Sequence, residues 1–337
     1  MSRKLSFEQL DFFHENGYLV VENVLNEAAL QALWDEYAMR LDEVVQGMVK
    51  AGLLSEAYDD LPFDERYCAV LRENSDVFQH LEIAYPLENE NFPVDAPIHT
   101  GPAVFGLLSH PNLLDVVESI IGSEIYSNPV QHIRLKPPYK KVPRSIAANS
   151  YIGKTTWHQD QGALLDEANE TQILTTWVAI TDCPKEFGCL IVVPGSHRKN
   201  ELSVHCPGKG ITSENFIPVK LLGDENGHRE IVPLPCKRGD VVLLHQFTEH
   251  AALRNKSDQL RWSFDLRWNP IGQPTGRPAF PGFVARSRQN PDNELRDPAM
   301  WSQLWHAAKE RILNGDYSGQ IFNAERWTKY VNAPVCA

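Results

Sequence analysis

The sequence predicts a mainly β domain with flanking helices, an α+β fold. From about residue 126 to 270, short β-branched runs are separated by Gly, Pro, Asn and Asp. Such runs begin at Ile173, Leu190, Ile231 and Val241. Short strands at this spacing are typical of a β-sandwich or barrel-like core, not of alternating strands and helices. Residues 1–125 and 271–337 carry helical patterns instead, so we expect one domain of 337 residues with a helical N-terminal part and a helical C-terminal extension.

The N-terminal part carries clear helix and strand boundaries. Ser6, with a glutamine three residues later, begins the first helix as a capping box, and Gly17 ends it. A strand is expected over residues 18–21, where the sequence reads Tyr-Leu-Val-Val. Two further helices are expected to begin at Asn26 and near Pro111.

Charge and hydropathy exclude several classes of partner. The formal net charge is -12, and an acidic surface repels both nucleic acid and anionic membranes. The N-terminus lacks the apolar run of a signal peptide, and we find no segment of the length expected for a membrane span. We therefore expect a small-molecule substrate. Four arginines after the core are interpreted as solvated surface charge, with contact to an anionic substrate as the alternative: Arg267, Arg277, Arg286 and Arg288. The sequence carries no signal for oligomeric state.

The cysteines predict a reducing, cytoplasmic environment. None of the six belongs to a C-x-x-C pair, and in a chain of this length we expect all of them to be buried, reduced thiols. They are Cys68, Cys183, Cys189, Cys206, Cys236 and Cys336.

A short motif offers two metal ligands. In Trp157-His158-Gln159-Asp160 the imidazole and the carboxylate are two residues apart. In a strand or at its end, such positions point to the same side and can converge on one metal ion. Alone, this H-x-D spacing is a weak signal.

A third ligand is expected from the segment that follows the Gly239-Asp240 turn. It contains two histidines, His245 within or at the end of a strand and His250 beyond it, and local spacing leaves both open. Two histidines and one carboxylate suit iron(II) oxygen chemistry because they leave open positions on the metal. Zinc accepts the same ligands, so a zinc hydrolase is the alternative.

Several ordered motifs resemble the phytanoyl-CoA dioxygenase family of iron(II)- and 2-oxoglutarate-dependent oxygenases. The resemblance covers most of the chain, from Phe7 to about Trp268. In chain order the motifs are FFHENGYLVVENVL, RLKPP at Arg134–Pro138, WHQD, TTWVAITDCPKEFGCLIVVPGSHRK, GDVVLLHQFTEHAALRN and RWSF. The resemblance implies a double-stranded β-helix (jelly-roll, cupin-like) core within residues 126–270. It also implies that the whole chain is a single catalytic domain.

The family pattern assigns the ligands. It implies that His158, Asp160 and His250 hold the iron, because the second histidine after the Gly-Asp turn is the ligand in this family. It also implies that Arg261, eleven residues after His250, forms a salt bridge with the distal carboxylate of 2-oxoglutarate. The alternative for Arg261 is a surface pair with Asp265 or nearby acids.

Further contacts to 2-oxoglutarate follow from the same resemblance. They are Trp177, which also suits a core aromatic, together with Gln131, His132 and Thr155. The chain departs from some relatives at Ala252, where they have a serine that contacts a carboxylate. A hydroxyl from elsewhere, or none, must take that role.

The resemblance implies a dioxygenase that uses iron(II), 2-oxoglutarate and O2 to hydroxylate an unactivated C–H bond of a small metabolite, releasing succinate and CO2. Desaturation and ring closure are variants that the ligands do not distinguish. Related halogenases have a small residue where Asp160 stands, so hydroxylation is favoured over halogenation. Two alternatives are a zinc-type metallohydrolase and a non-catalytic 2-oxoglutarate-binding module on the same fold.

Overall fold

Two antiparallel sheets with flanking helices form the described part of the chain. The structure is a computed structural model, and it describes residues 3–85, 92–149, 152–208, 215–321 and 325–336. The strands are β1 Tyr18–Val21, β2 Glu124–Lys136, β3 Thr155–His158, β4 Leu174–Ala179, β5 Leu190–Val192, β6 Val232–Leu234, β7 Val241–His245, β8 His250–Ala252, β9 Arg261–Pro270 and β10 Phe283–Ser287. The larger sheet has the order β1-β7-β4-β9-β2-β10, and the smaller has the order β3-β8-β5-β6. The mainly β prediction with helical flanks is confirmed.

Helices flank the β core. They are α1 Phe7–Asn16, α2 Glu27–Lys50, α3 Phe63–Glu73, α4 Val77–His80, α5 Pro102–Leu108, α6 Pro111–Ile121, α7 Arg144–Ala147, α8 Pro298–Leu313 and α9 Glu325–Thr328. The predicted boundaries of α1, α2 and α6 are confirmed by their caps. Ser6 and Gln9 form the reciprocal capping box of α1, and Gly17 adopts the left-handed conformation that ends it, with φ 76°. Asn26 accepts a hydrogen bond from the backbone of Ala29 and so caps α2.

Several elements were not predicted individually. Among them is the helix α3, which buries Tyr67, Val70 and Leu71. The strand β1 was predicted, whereas β10 was not. Both lie outside residues 126–270 but belong to the larger sheet, because they pair with β7 and β2. The predicted limits of the β core are therefore too narrow at both ends.

A segment in the helical part is both long enough and apolar enough to cross a membrane, judged by length and composition alone. It is Pro102–Ile121, with a mean hydropathy of 1.2, and our sequence prediction overlooked it. It consists of α5 and α6, and 56% of its most apolar window is buried inside the fold. Its apolar side chains therefore pack in the core, as Leu113 and Val117 do.

The strand β9 separates the helical core from the site. Side chains alternate along a strand, so every second residue lies on one face. The apolar face of β9 carries Trp262, Phe264, Leu266 and Trp268, which belong to the main hydrophobic cluster. Trp262 packs there against Tyr37 of α2, with ring centroids 5.1 Å apart. The opposite face carries polar and charged residues, which are described below.

Two cysteines correct the prediction of six reduced thiols. Cys206 and Cys336 form a disulfide; their Cα atoms are 5.4 Å apart, and the two residues are 130 positions apart in sequence. The other four cysteines are buried and free, as predicted. Sequence spacing does not reveal this pair because the C-terminal segment folds back over the β core before the two thiols meet.

Candidate active site

His158, Asp160 and His250 come together in one cluster, the one such group of potential metal ligands in the described residues. The last residue of β3, His158, lies opposite the first residue of β8, His250. Asp160 begins a short 3-10 turn, Asp160–Ala163, just after β3. The three ligand atoms lie within 4.8 Å of one another, and Asp160 Oδ1 is 3.7 Å from His158 Nε2. The strand end and the turn, rather than one straight strand, make the carboxylate converge on the imidazoles.

His245 lies outside this cluster. It ends β7, accepts a hydrogen bond from the backbone of Phe247 at 3.2 Å, and packs against His197 with ring centroids 5.1 Å apart. Burial lowers the pKa of His245 to about 4, so the ring is neutral at neutral pH. Local sequence spacing left His245 and His250 open, and the geometry favours His250.

Backbone carbonyls orient both imidazoles of the cluster. His158 Nδ1 lies 2.8 Å from the carbonyl oxygen of Thr156, and His250 Nδ1 lies 2.9 Å from that of Thr248. A donated Nδ1–H fixes each ring in the tautomer whose Nε2 lone pair faces the cluster. Burial, together with the neighbouring His250, lowers the pKa of His158 to about 3. The ring is therefore neutral, as a metal ligand must be.

Asp160 is held as a carboxylate by two neighbours. Thr175 on β4 donates its hydroxyl to Asp160 Oδ2 at 2.5 Å, and Arg267 on β9 donates to Oδ1. Burial alone would raise the pKa of Asp160, but Arg267 and the two histidines outweigh it and hold the pKa well below its usual range. Arg267 is 6% exposed, so its interpretation as solvated surface charge is wrong. Arg277 and Arg286 are buried as well.

Arg261 is a buried cation without an acidic partner among the described residues. Its Nη1 donates to Ser263 Oγ at 2.7 Å, while Nε and Nη2 have no hydrogen-bond partner in the part of the chain that the structure describes. The guanidinium lies over the ring of Trp177 at 5.4 Å, and burial lowers the pKa of Arg261. The alternative pairing with Asp265 is wrong, because Asp265 pairs with Arg134 at 3.1 Å.

A cavity of about 370 Å³, including its opening to solvent, joins the cluster to Arg261. Its lining consists of Arg134, Thr155, His158, Asp160, Thr175, Trp177, Leu190, Leu244, His250, Ala251, Ala252, Arg261, Asp265 and Arg267. Unpaired buried N–H groups are costly and call for an acceptor, and a guanidinium fork matches a carboxylate. The cavity therefore fits a ligand that places a carboxylate at Arg261 and metal-binding oxygens near the histidines.

The other predicted contacts divide into two pairs. Trp177 and Thr155 line the cavity, and Thr155 accepts a hydrogen bond from Lys136 at 2.7 Å. Gln131 and His132 do not line it: Gln131 donates to the carbonyl of Ile83 at 2.8 Å, and His132 Nδ1 lies 3.5 Å from a carboxylate oxygen of Glu82. Their contact with 2-oxoglutarate stays a prediction without geometric support.

A hydroxyl lies next to the position where some relatives have a serine. Ala252 lines the cavity with a methyl group, and Thr155 lies opposite it in the sheet. Ser263 accepts a hydrogen bond from Arg261 and so orients the guanidinium. Thr155 is therefore the candidate for the role that the missing serine leaves open.

Fold and site together define the class of protein as a non-haem iron(II), 2-oxoglutarate-dependent oxygenase. A jelly-roll core carries the two-histidine, one-carboxylate cluster beside a buried arginine that lacks an acidic partner among the described residues. The model of the phytanoyl-CoA dioxygenase (PhyH) family matches residues 13–263. The chain therefore belongs to the phytanoyl-CoA dioxygenase family, whose cofactors are iron(II), 2-oxoglutarate and O2.

Individual relatives agree with this family. The chain is 23% identical over 303 residues to phytanoyl-CoA dioxygenase domain-containing protein 1 of Bos taurus, covering 82% of this chain and 98% of the relative. It is 25% identical over 284 residues to 1-deoxypentalenic acid 11-beta-hydroxylase of Streptomyces arenae, covering 80% and 83%. Among solved structures, the apo form of the non-heme monooxygenase ThoJ is similar in fold, with a TM-score of 0.53 and 16% identity over 90% of this chain and 98% of that chain. The predicted double-stranded β-helix core is confirmed.

Proposed function

We propose that this protein hydroxylates an unactivated C–H bond of a small metabolite, with iron(II) held by His158, Asp160 and His250. When bound, iron and 2-oxoglutarate supply the oxidising chemistry: one oxygen atom of O2 enters the substrate C–H bond, and the other enters succinate as CO2 is lost. The overall change balances, since substrate, O2 and 2-oxoglutarate give alcohol, succinate and CO2.

The unpaired Arg261 guanidinium is the observation that carries the proposal. It lines the same cavity as the metal-ligand cluster, and two of its donor groups lack partners among the described residues. A carboxylate of 2-oxoglutarate would accept from this fork, while Trp177 covers the guanidinium face. A zinc-type hydrolase does not need a buried arginine that binds a carboxylate beside its metal.

The remaining residues fix orientation and protonation. The carbonyls of Thr156 and Thr248 keep each ligand histidine in the tautomer that presents Nε2. Thr175 and Arg267 keep the Asp160 carboxylate ionised and limit its rotation. A carboxylate at this position occupies the place that halogenases leave open, which supports hydroxylation. The Streptomyces arenae relative, a hydroxylase by name, supports the same reaction type.

The first experiment is anaerobic binding of iron(II) followed by 2-oxoglutarate. A weak visible charge-transfer band is expected in the wild type, and it should be lost in Asp160→Ala and His250→Ala. His245→Ala is the matched control, because His245 lies outside the cluster, and it should keep the band. Absence of the band in the wild type, with no succinate on aeration, would overturn the proposal. A band with iron and 2-oxoglutarate but no turnover with any metabolite pool would favour the non-catalytic binding module.

Arg261→Ala is expected to weaken 2-oxoglutarate binding by about 2–5 kcal/mol, because a buried charge-assisted pair is lost. Iron binding in the absence of 2-oxoglutarate should change little, since Arg261 is not in the ligand cluster. Arg261→Lys keeps the charge but not the planar fork, so its affinity should fall between the two. Titration of the charge-transfer band with 2-oxoglutarate measures the affinity of all three proteins. Equal affinity in Arg261→Ala and wild type would show that another cation binds the co-substrate.

A further inference from the structure

The C-terminal segment 325–336 lies against the turn that carries Asp160. Trp327 of α9 is 5% exposed, and its Nε1–H donates to the carbonyl of Gly162 at 3.0 Å. Arg326 Nη1 donates to the carbonyls of Gln161 and Leu164, each at 3.0 Å. Two side chains of one short helix therefore donate to three backbone carbonyls in or directly after the turn that begins at Asp160.

His205 links the same helix to the residue between the two ligands of the H-x-D motif. Its ring packs against the Trp327 ring, with centroids 4.5 Å apart and an interplanar angle of 34°. Its Nε2 accepts the backbone N–H of Gln159 at 3.0 Å, and its Nδ1 lies 2.8 Å from the carbonyl of Ser203. A Cβ added at Gly162 would meet the His205 ring at 2.9 Å, so ring and turn are in close contact. The position of the turn thus depends on His205 and on Trp327 behind it.

The segment is fixed at both ends. At its start, Arg326 forms an ion pair with Asp166 at 2.6 Å, which adds to its bonds with the turn. At its end, Cys336 is joined by the disulfide to Cys206, the residue that follows His205. The disulfide therefore ties the C-terminal segment to the chain beside the ring on which Trp327 packs.

We propose that Arg326 and Trp327 are positioning residues for the metal site, and that the Cys206–Cys336 disulfide holds them in place. Asp160 lies in a 3-10 turn outside the strand ladders, so its orientation depends on what contacts that turn. Some residues orient a metal ligand without binding the metal themselves. Their removal commonly lowers metal affinity by about 10–100-fold. This inference rests on the proposed function, because the position of the turn affects metal binding only if Asp160 is a metal ligand.

The test uses the full-length protein with cobalt(II) alone as the probe, so the readout does not depend on turnover. Trp327→Phe keeps an aromatic ring against His205 but removes the Nε1–H, and Arg326→Ala removes both bonds to the turn. Each is expected to bind cobalt(II) about tenfold more weakly than the wild type. Amide hydrogen exchange in residues 159–164 should become faster in both. Cys336→Ser should move both measurements in the same direction. Lys329→Ala is the matched control, since Lys329 is exposed on the same segment and contacts only the ring of Tyr330 among the interactions seen.

The outcomes separate this inference from the function on which it rests. Weaker cobalt binding and faster exchange in Trp327→Phe and Arg326→Ala, with Lys329→Ala unchanged, would support it. Normal cobalt affinity in those two variants would overturn it, even if their thermal stability fell, because the segment would then be only structural. Equal losses in Lys329→Ala would overturn it as well. No cobalt binding by the wild type would overturn the proposed function and this inference together.

Discussion

Arg267 gives Asp160 a positive partner in the protein without metal. Both side chains are buried, and Arg267 donates to the same carboxylate oxygen that lies nearest the two histidines. A buried carboxylate without compensation is strongly destabilising, so this pair keeps the metal-free fold intact. When a divalent metal binds, it brings a second source of positive charge to the same oxygen.

Arg267→Met is expected to lower the free energy of unfolding of the metal-free protein by about 3–5 kcal/mol, because Asp160 loses its partner while it stays buried. Added cobalt(II) should restore part of the loss, so the metal-dependent gain in Tm should be larger in the variant than in the wild type. Thermal unfolding with and without cobalt measures this. The same metal-dependent gain in Tm in both proteins would show that Arg267 does not compensate the buried charge of Asp160.

Buried histidines make stability depend on pH. Burial lowers the pKa of His245 to about 4, while an unfolded histidine has a pKa of about 6.5. Between these values the unfolded chain binds a proton that the folded protein does not, so stability falls as the pH is lowered from about 6.5 to 4. For His245 alone, the loss from pH 7 to pH 5 is about 2 kcal/mol. Denaturant unfolding at both pH values measures it, and His245→Asn should show a smaller pH dependence. An unchanged dependence in that variant would contradict this prediction.

At the scale of elements, β9 shows both the strength and the weakness of reading sequence patterns. Its alternation of aromatic and charged residues was visible in RWSFDLRW, and it implies that Arg261 and Arg267 share a face. The family pattern assigns Arg261, but we interpreted Arg267 as surface charge because we grouped it with three arginines that follow the core. The burial of this charged row is a property of the tertiary structure, since Arg261 and Arg267 line the cavity, and the alternation alone does not predict it.

The junction between α1 and β1 lies against the segment that leads to His250. Gly17 has a positive φ, and a Cβ there would lie 2.3 Å from His197 Nδ1 and 2.6 Å from Thr248 Oγ1. Gly17→Ala is therefore expected to destabilise the protein by more than about 2 kcal/mol, through backbone strain and the displaced side chains. Denaturant unfolding measures the change.

Gly47 provides the control for that substitution. It lies inside α2, where an added Cβ would meet no atom within 4 Å. Gly47→Ala is expected to stabilise the protein by about 0.5–1 kcal/mol, because alanine favours the helix and restricts the unfolded chain. If both substitutions had similar effects, the close contact at Gly17 would not explain the first one.

At the scale of the whole molecule, local patterns predicted the β core and where α1, α2 and α6 begin, while long-range contacts escaped prediction. His158 and Asp160 followed from spacing, and His250 needed the family pattern to separate it from His245. The disulfide joins residues 130 apart, and no local signal indicates that Cys336 returns to Cys206. The same return brings Trp327 to the turn, so both features depend on the path of the C-terminal segment.

Cys336→Ser is expected to lower the free energy of unfolding by about 2–4 kcal/mol, because a long loop is no longer closed in the unfolded chain. Chemical unfolding of the oxidised protein and the variant measures the difference. Thiol labelling of the denatured, unreduced wild type should detect only the four free cysteines. Labelling of all six cysteines would contradict the disulfide.

A cytoplasmic location stays a prediction, and disulfides are uncommon in that compartment. Thiol trapping in intact cells would therefore bear on location as well.

We expect the strand β9 also to limit the length of the keto acid that the proposed site accepts. One unbroken strand carries the arginine expected to hold the far carboxylate, at its first residue, and the arginine bonded to the metal-ligand carboxylate, at its seventh. The two anchoring points are therefore related by strand geometry, which does not stretch as a loop would. A co-substrate one methylene longer or shorter would reach only one of the two ends well. We therefore expect selectivity for the chain length of the keto acid to depend on this strand, so that changes in the surrounding loops would alter the substrate and leave the co-substrate the same.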